Sequence, residues 1–155
     1  MSPAPPPLRV LLVDDDPAFA ELITCVLSLD GVDVLGHAHD GAEGVELTHQ
    51  LEPDVVVMDV RMPRMDGLEA TRRIVGAVPG ASVLVVSSSK DPEDVERARD
   101  AGAVGYLPKD RAATELREWL ELLRPARPSP EAGIVFSRVW GWRPLQVAPG
   151  VSALR

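Results

Sequence analysis

The chain has 155 residues, 45% hydrophobic and 26% charged, which is room and composition for one globular domain with a short appendage. Its single cysteine, Cys25, excludes an intramolecular disulfide and favours a reducing compartment. The net charge of −8 is unevenly spread, with 12 Lys/Arg against 23 Asp/Glu in residues 1–124 and four Arg against one Glu in residues 125–155. An acidic body of this kind argues against nonspecific nucleic-acid binding, which needs a basic footprint.

The start, Met1-Ser2-Pro3-Ala4-Pro5-Pro6-Pro7, lacks the apolar core of a signal sequence, and residues 1–7 are expected to be a disordered extension. No apolar segment has membrane-spanning length, so a cytoplasmic protein is expected. From residue 8 to residue 124 strand-like and helix-like patterns alternate. Strands are predicted at Leu8–Val13, Val32–Ala38, Val55–Met58, Ser82–Val86 and Gly105–Leu107. Helices are predicted at about Pro17–Leu29, Ala42–Leu51, Leu68–Val78, Pro92–Ala101 and Ala112–Leu123.

Phe19, Leu22, Ile23 and Val26 share a face of the first helix, as Leu116, Trp119, Leu120 and Leu123 do in the last. Cys25 is assigned to the apolar side of the first helix as an inert thiol. Asp16-Pro17 and Asp91-Pro92 each place a carboxylate at a helix N-cap and proline at the first helical position. Five such strand–helix units imply a parallel sheet covered on both faces. Pro125, Pro128 and Pro130 then end the last helix, and a semi-rigid linker leads to a tail containing Trp140 and Trp142.

Several strand-like runs end in groups suited to phosphate and metal chemistry. Asp14 and Asp15 follow the first, Asp59 the third, Ser87 the fourth and Lys109 the fifth. In an open α/β sheet these ends share one edge, where ligands bind. Three carboxylates attract a hard divalent cation, and Mg²⁺ characteristically combines one or two carboxylates with water and phosphate oxygens. Asp59 is then placed to attack a phosphoryl group, with Lys109 neutralising its oxygens and Ser87 hydrogen-bonding one of them. Asp16 is sufficiently explained as a cap. His37, His39 and His49 have no metal-ligand spacing and are expected on the surface or in loops.

The ordered set Val13-Asp14-Asp15-Asp16-Pro17, Asp59 to Gly67, Ser87-Ser88 and Gly105-Tyr106-Leu107-Pro108-Lys109-Asp110 resembles the receiver domain of bacterial response regulators. The resemblance implies a flavodoxin-like, doubly wound five-stranded parallel sheet of order 2-1-3-4-5 with five helices. It implies Asp59 as the phosphoacceptor, with Asp15, Asp59 and the backbone carbonyl of Arg61 as ligands of Mg²⁺ (or Mn²⁺). Asp14 would act mainly through metal-bound water, Lys109 would contact the phosphoryl group, and Ser87 and Tyr106 would form the switch. Arg61 and Ser89 would face the phosphoryl site. The implied partners are a histidine kinase or phosphotransfer protein and a downstream protein, with a phosphorylation-dependent homodimer as a further state, engaged through the fourth helix, fifth strand and fifth helix.

Asp110 stands where most such domains have proline, which resembles receivers that precede a LuxR-type DNA-binding module. Residues 125–155 carry no such motif, so direct DNA binding is not expected. Turnover enzymology is not expected either. The rival is a haloacid-dehalogenase-like phosphatase with Asp14 as nucleophile and Asp16 as general acid, which leaves Asp59 unexplained. A phosphorylation-independent binding module of the same fold is the third reading.

Overall fold

The computed structural model describes residues 6–124; the expectations for residues 1–5 and for the linker and tail at 125–155 lie outside the described residues. The elements run β1 (Arg9–Val13), α1 (Pro17–Leu29), β2 (Asp33–Ala38), α2 (Gly41–Leu51), β3 (Val55–Asp59), α3 (Gly67–Ala77), β4 (Ser82–Ser87), α4 (Pro92–Asp100), β5 (Gly105–Pro108) and α5 (Lys109–Leu123). The strands form one sheet of order β2-β1-β3-β4-β5, and every neighbouring pair is parallel. This is the expected flavodoxin-like arrangement.

The central strands read as continuous apolar runs because both of their faces are covered. On one face Ile23 and Leu27 of α1 meet Leu116, Trp119 and Leu120 of α5 against β1, β3 and β4. Trp119 is completely buried, and truncating it to alanine would cost roughly 3–5 kcal/mol. On the other face α2, α3, α4 and the residues just after α4 pack side chains including Ala70, Ala98 and Ala101 around Met58, Ile74 and Tyr106. Helix α4 fully buries Ala98 alone, with Val95 packed half-buried beside it.

Four helices begin on an aspartate whose carboxylate accepts backbone N–H bonds: Asp16, Asp40, Asp66 and Asp91. Each such cap is worth about 1 kcal/mol. Helix α5 departs from the expected start at Ala112. It begins at Lys109, directly after β5, with Pro108 in an extended conformation at the cap. Lys109 is therefore fixed in the first helical turn and not in a loop.

Two expectations for α1 fail. Leu22 is 51% exposed and Cys25 is exposed as well. A helix laid on a sheet buries one narrow stripe, here Ala20, Ile23 and Leu27, and Leu22 and Cys25 fall outside it.

Candidate functional site

Parallel pairing aligns the strand ends. Val13 pairs with Met58, Asp59 with Val86, and Ser87 with Pro108, so residues that follow one another across the sheet reach the same edge. Asp14 leaves β1 with its N–H bonded to the Ala38 carbonyl at 3.0 Å and one carboxylate oxygen accepting the Asp16 N–H at 2.8 Å. Asp59 is the last residue of β3 and not the first beyond it. Asp14 and Asp59 are buried while Asp15 is exposed, and ligand oxygens of the three lie within 4.8 Å of one another.

Lys109 Nζ lies 2.9 Å from Asp14 Oδ2 and 3.6 Å from Asp59 Oδ2. The same ammonium sits 4.6 Å from the centre of the Phe19 ring, a cation–π contact that steadies it from the α1 side. An apolar floor of Leu12, Phe19, Ala20, Val57 and Val86 lies against the two buried carboxylates.

That surrounding sets the electrostatics. Burial, first, and then the charge of Asp14 push the Asp59 carboxyl up to about 7; Asp15 adds to the rise and Lys109 opposes it. Burial alone would lower the Lys109 pKa, but its hydrogen bond to Asp14 and the charge of Asp59 outweigh that and raise it. One ammonium thus pairs with two of the three clustered carboxylates. The remaining excess of negative charge on hard oxygen donors fits a divalent cation such as Mg²⁺, which takes oxygen ligands and lowers carboxylate pKa values.

The neighbouring corner is organised differently. Ser87 ends β4, is buried, and its Oγ accepts the Ser89 N–H at 3.1 Å. Tyr106 is fully buried in β5 and donates its phenolic hydrogen to the Ser89 carbonyl at 2.6 Å. Burial pushes its pKa up. The Ser89 hydroxyl donates to Asp94 of α4 and accepts the Asp91 N–H, so it points toward α4 and does not meet the expectation that it faces the acidic cluster.

Asp14, Asp15, Asp59 and Lys109 are therefore brought together, with Ser87 at the same edge and Tyr106 one loop away. Arg61 lies exposed in the β3–α3 connection. Asp16 stays outside the cluster, its carboxylate accepting the Ala18 and Phe19 N–H groups, which leaves the phosphatase reading without its general acid.

Reading the sequence missed two residues. Gly67 packs so closely that a Cβ there would stand 1.9 Å from the Asp59 carbonyl oxygen, and its N–H bonds to the Val60 carbonyl at 2.8 Å. The Asp66-Gly67 pair was the available signal, since only glycine permits that approach while aspartate caps the helix behind it. His37, expected to be a bland surface or loop residue, is a half-buried strand residue whose ring bonds the Asp14 main chain at 2.7 Å. No local pattern announces such a contact, because it runs between neighbouring strands.

The family model for the response regulator receiver domain matches residues 10–121. The chain is 45% identical over 106 residues to protein-glutamate methylesterase/protein-glutamine glutaminase 4 of Myxococcus xanthus (strain DK1622), a match covering 66% of this chain and 30% of that protein. It is 39% identical over 116 residues to the transcriptional regulatory protein PdtaR of Mycobacterium tuberculosis (strain CDC 1551 / Oshkosh), covering 75% of this chain and 56% of that one. The chain thus spans about a third to a half of these relatives. Among solved structures, the signal receiver domain of the response regulator NarL from Mycobacterium tuberculosis superposes with a TM-score of 0.73 at 36% identity, over 79% of this chain and 100% of that one. With its sheet order, its acidic edge and these matches in agreement, the chain belongs to the response regulator receiver domain family.

Proposed function

We propose that residues 8–124 form a phosphoacceptor domain of a two-component relay, receiving a phosphoryl group on Asp59 from a histidine kinase or phosphotransfer protein. The observation that carries this reading is Lys109 Nζ bridging Asp14 and Asp59 beside Asp15, on one edge of the sheet. Asp14, Asp15 and Asp59 would hold Mg²⁺, with the Arg61 carbonyl as the family's further ligand, and the cation would supply charge neutralisation at the phosphoryl oxygens.

In the transfer, a carboxylate oxygen of Asp59 forms a bond to phosphorus as the nitrogen–phosphorus bond of the donor's phosphohistidine breaks. The electron pair stays on the imidazole nitrogen. Asp59 must be ionised to attack, and Lys109 helps keep it so. The Lys109 ammonium and the Ser87 hydroxyl then hold oxygens of the new acyl phosphate.

Ser87 is tied to Ser89, and Ser89 to both Tyr106 and Asp94, so a phosphoryl group that engages Ser87 pulls on one connected network. Helix α4, which fully buries Ala98 alone, is the element such a pull would move most readily. The α4-β5-α5 face would then change its affinity for a downstream protein or a second copy of the chain. Among the described residues no helix is long and apolar enough to cross a membrane.

Intact-mass measurement after treatment with acetyl phosphate and Mg²⁺ tests the assignment. One phosphoryl group per chain is expected on the wild type and none on Asp59→Asn. Unchanged labelling of the variant would overturn it. Steady turnover of a generic phosphomonoester would revive the phosphatase reading.

A further inference from the structure

The side chain of Asp14 is held by the Asp16 N–H and by Lys109. Asp15 differs. Among the described residues its carboxylate takes part in no hydrogen bond or ion pair, so only the main chain places it in the cluster with Asp14 and Asp59. That main chain is gripped by β2 at two points. The Asp14 N–H donates to the Ala38 carbonyl at 3.0 Å, and the Asp14 carbonyl lies 2.7 Å from His37 Nε2.

A carbonyl oxygen accepts only, so His37 Nε2 carries the hydrogen. The accepting carbonyl belongs to the peptide that joins Asp14 to Asp15. Fixing that peptide plane fixes the direction in which Asp15 leaves it. The His37 ring is itself braced: it lies 4.4 Å from the His39 ring, and His39 is bonded through its N–H and Nδ1 to Glu43 of α2.

We propose that His37 is a positioning residue for the cation site, setting the Asp15 carboxylate against Asp14 and Asp59 through the Asp14–Asp15 peptide. The inference rests on the reading of this edge as a Mg²⁺-dependent phosphoacceptor site. A hydrogen bond that orients a metal-binding group is typically worth tenfold or more in metal affinity. No catalytic contact is assigned to His37.

The test compares the full-length wild type, His37→Ala and His37→Gln, since glutamine restores an N–H donor at similar reach. Mg²⁺ affinity is measured by titration calorimetry, labelling by acetyl phosphate is followed as a function of Mg²⁺, and thermal unfolding is recorded in chelator. His37→Ala should bind Mg²⁺ about tenfold more weakly. Its labelling rate at saturating Mg²⁺ and its metal-free unfolding temperature should stay near wild type, and His37→Gln should recover most of the affinity. Unchanged Mg²⁺ affinity in His37→Ala overturns the proposal, as does a loss that glutamine fails to recover or that follows a fall in metal-free stability. A wild type that neither binds Mg²⁺ nor labels would overturn the underlying reading instead.

Discussion

Asp14, Asp15 and Asp59, at the ends of β1 and β3, gather three carboxylates at one edge, where the Lys109 ammonium pairs with Asp14 and Asp59. On the neighbouring strands, Ser87 at the end of β4, Ser89 just after it and Tyr106 of β5 are linked to one another and to Asp94 by hydrogen bonds. Both corners bury polar groups on the same edge of the same sheet. One leaves an excess of negative charge in an apolar setting, which costs stability until a cation offsets it. The other is satisfied internally, so it costs little, and its hydrogen bonds connect Ser87 through Ser89 to β5 and α4. Under the proposed function, the first corner would bind and the second would report.

The largest predicted effect probes the imbalance. Asp59 titrates at about 7 in the folded chain against 3.8 for an ordinary aspartate. Between those values the folded state keeps a proton that the unfolded state has released, so the contribution of Asp59 falls as pH rises through this window and is constant above it. In chelator, Asp59→Asn should therefore be more stable than wild type by roughly 4 kcal/mol at pH 8, with the advantage shrinking toward zero near pH 4. Denaturant unfolding of the pair across that range checks it; a pH-independent difference would remove the imbalance from the comparison. Added Mg²⁺ should raise the unfolding temperature of wild type more than that of the variant.

Gly67→Ala comes next. Its new methyl would strike the Asp59 backbone, and a loss of roughly 3 kcal/mol is expected, together with weakened Mg²⁺ binding. Lys109→Met keeps the packing over Phe19 but leaves the carboxylates uncompensated. A loss of roughly 2 kcal/mol at pH 8 is expected. Because Lys109 holds the Asp59 pKa down, the pH window described above should move upward in that variant. The smallest effect belongs to the satisfied corner. Tyr106→Phe removes one bond to the Ser89 carbonyl, costs about 1 kcal/mol, and should leave labelling of Asp59 unchanged while altering amide shifts in α4 by NMR. An altered labelling rate there would show that the two corners do not divide their work.

Much of this edge was legible in the order of residues. Apolar runs ending in Asp59 and Ser87, and proline-marked caps at Asp16 and Asp91, are local patterns that chain chemistry writes directly. The sequence pattern starts α5 at Ala112, three residues after its actual start at Lys109, because nothing between Pro108 and Ala112 resembles a turn or forbids one. Leu22 and Cys25 read as inward-facing but are exposed, because apolar character alone does not say how narrow the buried stripe is. The resemblance implies that Ser89 faces the phosphoryl site, but its hydroxyl bonds Asp94, a contact that depends on where α4 lies.

By itself, the sequence determined the alternation of strands and helices, the residues standing at strand ends, and hence the kind of chemistry on offer. Those are consequences of periodicity and capping, which act over a few residues. Only the tertiary structure decided that Lys109 reaches Asp14 across the sheet, that Asp59 is pushed to about 7, that Gly67 must yield to the Asp59 backbone, and that His37 holds the Asp14 carbonyl. Each of these depends on strand order and register, which join residues distant in the chain, and on the low-dielectric surroundings that their packing creates.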